Sequence, residues 1–146
     1  MMIRTRTLAI CLGLAMAGTG PLALAPAPAT AADQAPSTMV DPVKEIETAA
    51  THAGLAAEAK DIKMVHTHLH HTINCLAGVH GPGYDATASN PCAGLGNGAL
   101  VDAADAAAKT TLDAALEHAE SGLKVDDLTT AQKIAAETQA QLRTVK

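Results

Sequence analysis

Two segments of this 146-residue chain align without gaps at an offset of 66 residues. The first, 46–76, reads IETAATHAGLAAEAKDIKMVHTHLHHTINCL, and the second, 112–142, reads LDAALEHAESGLKVDDLTTAQKIAAETQAQL. The dipeptide His-Ala at 52–53 falls on the same dipeptide at 118–119. This similarity predicts an internal duplication, with chance agreement in an alanine-rich chain as the alternative. A duplicated unit must fold twice in the same way, so the repeat strongly constrains the fold.

Each repeat unit has the pattern of an αα-hairpin. A first helix carries one histidine, and a second helix opens at Asp61 or at Asp126-Asp127, because aspartate is a good N-cap residue. Asp41 followed by Pro42 marks the start of the first hairpin in the same way. The helices are predicted near residues 42–58, 61–77, 99–122 and 126–144. Two hairpins predict an all-α fold, specifically an up-down four-helix bundle.

The stretch MVHTHLHHTINC, residues 64–75, contains four of the seven histidines. Its alternating VHTHLH also fits an edge strand, since Val, Thr and Ile favour strands. The aligned segment TTAQKIAAETQAQL, residues 129–142, consists largely of good helix formers. A repeat unit cannot be a strand in one copy and a helix in the other, so the histidine stretch is predicted to be helical.

On that helix an apolar stripe is centred on Leu69. The four histidines divide into two pairs, one on each flank of the stripe. His66 and His70 are four residues apart on one flank, and His68 and His71 lie toward the other. Because side chains three or four residues apart emerge on the same face, each pair can share one ion.

The segment 77–99 between the hairpins contains six glycines and two prolines, which predict irregular structure. Cys75 and Cys92 flank and enter this segment, and in an exported protein such a pair predicts a disulfide. The bridge would pin the Gly-rich loop to the second helix and stabilise a thin core by about 3 kcal/mol. If the cysteines were reduced, Cys75 with His71 would instead form a soft copper or zinc site.

The first 31 residues have the features of a secretory signal peptide. Arg4 and Arg6 precede the apolar run 8–17, and an Ala-x-Ala site predicts cleavage near Ala31. The apolar run is too short and too interrupted to span a bilayer. We therefore expect a periplasmic or secreted protein.

A single domain of two hairpins is expected after cleavage. Residues 32–40 are predicted to be a disordered linker, and 41–146 the bundle, with hairpins 41–77 and 99–145 and loop 78–98. Loss of the two signal-peptide arginines would change the formal net charge from −5 to −7. Such an acidic chain is a poor partner for nucleic acid or anionic membranes but attracts cations.

The local density of histidine predicts a metal site. Imidazole suits copper, nickel and zinc, and two ligands are too few for a tight site, so other residues must contribute. The predicted metal ligands are His66, His68, His70, His71 and His80, with His52 and His118 as secondary ligands.

The sequence Leu116-Glu117-His118-Ala119-Glu120 and the paired hairpins resemble the small metal-binding proteins of bacteria. The resemblance covers roughly residues 42–76 and 109–144. It implies an exported, His-rich four-helix bundle that binds several divalent metals, copper among them. That family spreads its histidines over all helices, whereas this chain concentrates them on one, which puts binding of several ions in doubt.

The leading hypothesis is metal buffering or delivery by an exported helical protein. One alternative is a non-catalytic module that docks on a periplasmic protein through the 77–99 loop. Another is a bundle that holds haem without covalent attachment for electron transfer. The sequence contains no nucleophile triad or paired-carboxylate pattern, so no enzymatic activity is expected.

Overall fold

The structure, a computed structural model, describes residues 40–145. Within this range the chain is all-helical and contains no β-strand, which confirms the predicted all-α class. The five helices are α1 (Pro42–Glu58), α2 (Ile62–Ala77), α3 (Ala99–Asp102), α4 (Ala106–Gly122) and α5 (Leu128–Leu142). The up-down order of a four-helix bundle, like the internal duplication, stays a prediction.

Aspartate residues begin the four long helices. Each N-cap carboxylate accepts a hydrogen bond of 2.8–3.0 Å from the backbone N–H three residues later. This bond satisfies one of the N–H groups that the first turn of a helix leaves unpaired. The caps are Asp41, Asp61, Asp105 and Asp127.

The prediction of one continuous helix over 99–122 is wrong, because this segment forms two helices, α3 and α4. Ala103 ends α3 in an extended conformation with ψ 128°, and Asp105 caps the start of α4. The Asp102 carboxylate accepts hydrogen bonds from the backbone N–H and the side-chain amide of Asn97 at 2.6 and 3.0 Å. Two aspartates that bond to nearby backbone groups therefore interrupt a run of good helix formers.

The histidine stretch lies within α2, as predicted. Its apolar stripe of Val65, Leu69 and Ile73 is completely buried. Burial of each such side chain stabilises the fold by roughly 1.5–3 kcal/mol. Gly122 of α4 lies against this stripe, where an added Cβ would come within 2.7 Å of Leu69 Cδ1. The stripe thus sets the rotation of α2 and leaves its histidines on the two flanks.

Small residues allow the helices to approach closely. The helix α1 packs against α2 and α5, and α4 packs against α5 and α2. On α1 the buried positions include Ala49 and Ala53, both with no exposed surface. Gly54 faces Gln139 of α5, whose side-chain amide donates to the Ala50 carbonyl at 3.2 Å. A chain without Phe or Trp fills its interior by short distances between helices.

The segment 78–98 forms only turns and irregular structure, as predicted. The predicted disulfide between Cys75 and Cys92 is present and joins this loop to α2, with 5.1 Å between the Cα atoms. The buried amide of Asn74 also holds the loop, since it donates to the Asp85 carbonyl and accepts from the Asp85 N–H, both at 2.9 Å. A covalent bond and a buried amide on adjacent residues therefore fix the loop against the last turn of α2.

The predicted signal peptide and all of the predicted linker except Val40 lie outside the described residues. Among residues 40–145, no helix has the length and hydropathy needed to cross a membrane. The intramolecular disulfide fits an oxidising compartment. Export itself stays a prediction.

Candidate metal centre

Three histidine side chains meet between α1 and α2. His52 extends from α1, and His68 and His71 extend from α2. The Nδ1 atom of His52 lies 3.4 Å from Nδ1 of His68 and 3.3 Å from Nδ1 of His71. One ring nitrogen of each residue lies within 4.8 Å of the other two, and all three side chains are half-buried. These distances allow one metal ion to bind to all three imidazoles.

Antiparallel packing of the first two helices creates this meeting. Thr72 donates to the Ala49 carbonyl at 3.3 Å, whereas His52, three residues further along α1, faces residues earlier in α2. His68 and His71 are three residues apart and share a face of α2, as helix geometry requires. The register that places Thr72 on Ala49 therefore also places both α2 histidines on His52.

The three rings also contact each other. The ring centroids of His52 and His71 are 4.9 Å apart with nearly perpendicular planes, and His68 lies 5.6 Å from each of the other two. The rings therefore surround a common point and do not stack in a column. This arrangement directs nitrogen atoms toward one position, as a metal site requires.

Burial and mutual repulsion keep two of these imidazoles neutral. The pKa of His52 falls from its usual 6.5 to about 4, because burial disfavours the cation and because His71 and His68 lie close. The pKa of His71 is lowered by burial and by its neighbours His68 and His70. Neutral imidazole is the form that donates a lone pair to a metal, so this environment favours metal binding near neutral pH.

The other predicted pair on α2 has different partners. His66 Nε2 donates a hydrogen bond of 2.9 Å to the Val125 carbonyl in the turn between α4 and α5. His70 Nδ1 lies 3.4 Å from the Asp85 carboxylate in the loop, although it has no hydrogen bond within residues 40–145. His66 thus connects α2 to one turn, and His70 lies toward the disulfide-linked loop.

Two further predicted ligands lie apart from the three-histidine cluster. His80 is exposed in the loop just beyond α2. His118 of α4 pairs with Glu137 of α5, with 3.1 Å between Nε2 and Oε2, and Lys133 approaches the same carboxylate at 3.8 Å. The structure thus groups the predicted pair on one flank of α2 with a secondary ligand, His52.

The sequence pattern understated the importance of His52. Its position over His118 in the aligned segments marked it as a candidate, but helical periodicity says nothing about which residue of α1 faces which residue of α2. That pairing depends on the register between two packed helices. A helix-packing register with alanine on both sides of His52 is the signal that could have selected it.

The chain was compared with protein-family models, curated proteins and solved structures, and no match was found.

Proposed function

We propose that this protein binds a transition metal ion through His52, His68 and His71, and serves in metal buffering or delivery. The observation that carries the proposal is the convergence of one nitrogen atom from each residue to within 4.8 Å. Copper, nickel and zinc all accept imidazole ligands. His66, His70, His80 and His118 are not needed for this minimal site.

Hydrogen bonding alone does not satisfy the three rings. An imidazole nitrogen carries either one N–H or one lone pair. The Nδ1 atom of His52 can therefore bond to His68 or to His71, but not to both in the same state. The other contact of 3.3–3.4 Å then brings two groups together without a bond between them. A metal ion removes this conflict, because it accepts a lone pair from each nitrogen.

Charge and location also support the proposal. The formal net charge of −5 attracts cations toward the molecule. An oxidising compartment outside the cytoplasm, which the disulfide fits, would make the chain an extracytoplasmic metal binder. The resemblance to the small metal-binding proteins of bacteria agrees with this role.

We propose binding without catalysis. Among the described residues, the three-histidine cluster includes no carboxylate that would act as a general base toward a bound substrate. The role is therefore assigned to metal capture and release. Protons compete with the metal for imidazole, so affinity should fall as the pH is lowered.

Calorimetric titration of the full chain with Zn²⁺, Cu²⁺ and Ni²⁺ tests the proposal. We expect at least one of these ions to bind with one ion per chain and a Kd below about 10 µM, equivalent to about 7 kcal/mol. A triple variant with His52→Ala, His68→Ala and His71→Ala should lose this binding. The matched control replaces His66, His70 and His118 by alanine and should keep it.

Two results would contradict the proposal. One is that no ion binds with a Kd below about 100 µM. The other is that the control variant loses binding while the cluster variant keeps it. Circular dichroism of both variants establishes that each retains its helices, so that a loss of binding is not a loss of folding.

A further inference from the structure

The distances between the three ring nitrogens bear on which metal the site prefers. In a tetrahedral complex with metal–nitrogen bonds of about 2.0–2.1 Å, two ligand atoms are separated by about 3.3–3.4 Å. The two Nδ1 distances from His52 are 3.4 and 3.3 Å. Both contacts therefore already have the length of a tetrahedral edge before any ion is bound.

A square-planar or tetragonal complex needs a different spacing. At the same bond length, neighbouring ligands at 90° are about 2.8–3.0 Å apart. To reach this spacing, His52 would have to move about 0.5 Å closer to both His68 and His71. A displacement of this size is about the tolerance within which a site must hold its ligands.

The backbone resists such a displacement. His68 and His71 share one helix, where the buried side chains of Leu69 and Thr72 adjoin them. His52 lies beside Ala53, which is also fully buried in the contact between helices. Close-packed interiors transmit strain, so a shift of α1 toward α2 would disturb the core as well as the site.

We infer that the site selects ions that adopt tetrahedral coordination, Zn²⁺ above all, over Ni²⁺ and Cu²⁺ in square-planar form. This inference rests on the proposed metal binding. Three protein ligands leave the fourth tetrahedral position to water or to a donor atom of another molecule. A half-buried site with one exchangeable position suits transfer of the ion to an acceptor, in agreement with a delivery role.

Cobalt provides the test, because Co²⁺ reports its own coordination number. Four-coordinate Co²⁺ absorbs visible light strongly, whereas six-coordinate Co²⁺ is only weakly coloured. We expect the full chain to give the intense spectrum with Co²⁺, and Zn²⁺ to displace the cobalt. The His118→Ala variant should leave the spectrum unchanged, since this histidine lies on α4 outside the cluster.

The order of affinities gives a second readout. For an unconstrained set of ligands Ni²⁺ binds more tightly than Co²⁺. A site that imposes tetrahedral geometry should reverse this order, and Zn²⁺ should bind at least about 10-fold more tightly than Ni²⁺, about 1.4 kcal/mol. Competition titrations of the same protein sample measure both ratios.

The outcomes separate this inference from the proposed function. Intense Co²⁺ absorption together with the reversed order supports both. Tight binding of Ni²⁺ above Co²⁺ and Zn²⁺, with weakly coloured Co²⁺, overturns the tetrahedral preference and leaves metal binding intact. Absence of binding by every ion overturns both.

Discussion

The two long hairpins bring equivalent positions into contact and fill them with different chemistry. In the first hairpin His52 faces His71, with 3.3 Å between the Nδ1 atoms. In the second, 66 residues later in both helices, His118 faces Glu137 with 3.1 Å between Nε2 and Oε2. A histidine and a carboxylate satisfy each other by a hydrogen bond, whereas two histidines with a third beside them do not. The first contact therefore has a use for a metal ion that the second lacks.

The third position strengthens this difference. His68 of the first hairpin corresponds to Ile134 of the second. An isoleucine can only pack, and here it lies against the backbone of α4 near Gly122. Similar helical frames thus hold three potential ligands in one hairpin, but one histidine, one carboxylate and one apolar side chain in the other. Three side chains, more than the backbone, decide where the metal site lies.

The largest expected effect is on metal affinity. His71→Ala removes one of three ligands and should weaken Zn²⁺ binding by about 1,000-fold, about 4 kcal/mol. Glu137→Ala, at the equivalent position of the second hairpin, should change the affinity by less than about threefold. Calorimetric titration of the two variants measures both effects. Equal losses would mean that the hairpins do not differ as described.

A buried acid in the first hairpin predicts a pH effect on stability. Glu45 of α1 has no exposed surface, and its Oε1 accepts a hydrogen bond of 2.9 Å from Gly98. Burial raises its pKa from 4.5 to about 7, and the nearby carboxylates of Asp102 and Asp41 raise it further than the Gly98 N–H lowers it. The equivalent residue of the second hairpin, Thr111, does not titrate.

The sign of the effect follows from the proton that the folded chain keeps. As the pH rises from about 4.5 to 7 the unfolded chain releases this proton while the folded chain retains it, so stability falls through this window. Above about pH 7 the full cost is present, of the order of 3 kcal/mol. Glu45→Gln should remove it, so the variant gains stability relative to the wild type as the pH rises.

Urea unfolding at pH 4.5 and pH 8 measures this gain. Thr111→Ala is the matched control, and its stability difference from the wild type should not change with pH. A constant difference between Glu45→Gln and the wild type would show that Glu45 titrates normally in the folded protein.

Converting the second hairpin toward the first should have a smaller effect. Ile134→His adds an imidazole near His118 and Glu137, which together offer two ligand types that zinc accepts. We expect Zn²⁺ binding at this hairpin to strengthen by about 30-fold, about 2 kcal/mol, and the stoichiometry to approach two ions per chain. Zinc analysis after dialysis counts the ions. A stoichiometry that stays at one would show that the side-chain replacement alone does not create a site.

The smallest effects concern features that the hairpins share. Asp61 and Asp127 cap α2 and α5 with bonds of 2.9 and 2.8 Å to the backbone N–H of Met64 and Thr130. Replacement of either aspartate by alanine should destabilise the fold by about 1 kcal/mol. Denaturant unfolding of the two variants should give values that agree within about 0.5 kcal/mol. A large difference between them would show that the caps are not equivalent.

Local rules were sufficient for much of the fold. Aspartate caps and the apolar stripe on Leu69 predicted where α1 and α2 begin and which face of α2 is buried. The pairing of Cys75 with Cys92 followed from having two cysteines in a chain expected to be exported. The break between α3 and α4 was missed, because alanine-rich sequence favours helix throughout and Asp102 and Asp105 exert their effect through bonds to nearby backbone.

The sequence by itself determined that the α2 histidines divide between two flanks, because the 100° rotation per residue is a local property of the helix. Only the tertiary structure decided which flank meets a third histidine. That outcome depends on the register between α1 and α2, where Thr72 bonds to Ala49 and His52 consequently faces His68 and His71. Register arises from packing between helices, and no spacing within one helix specifies it.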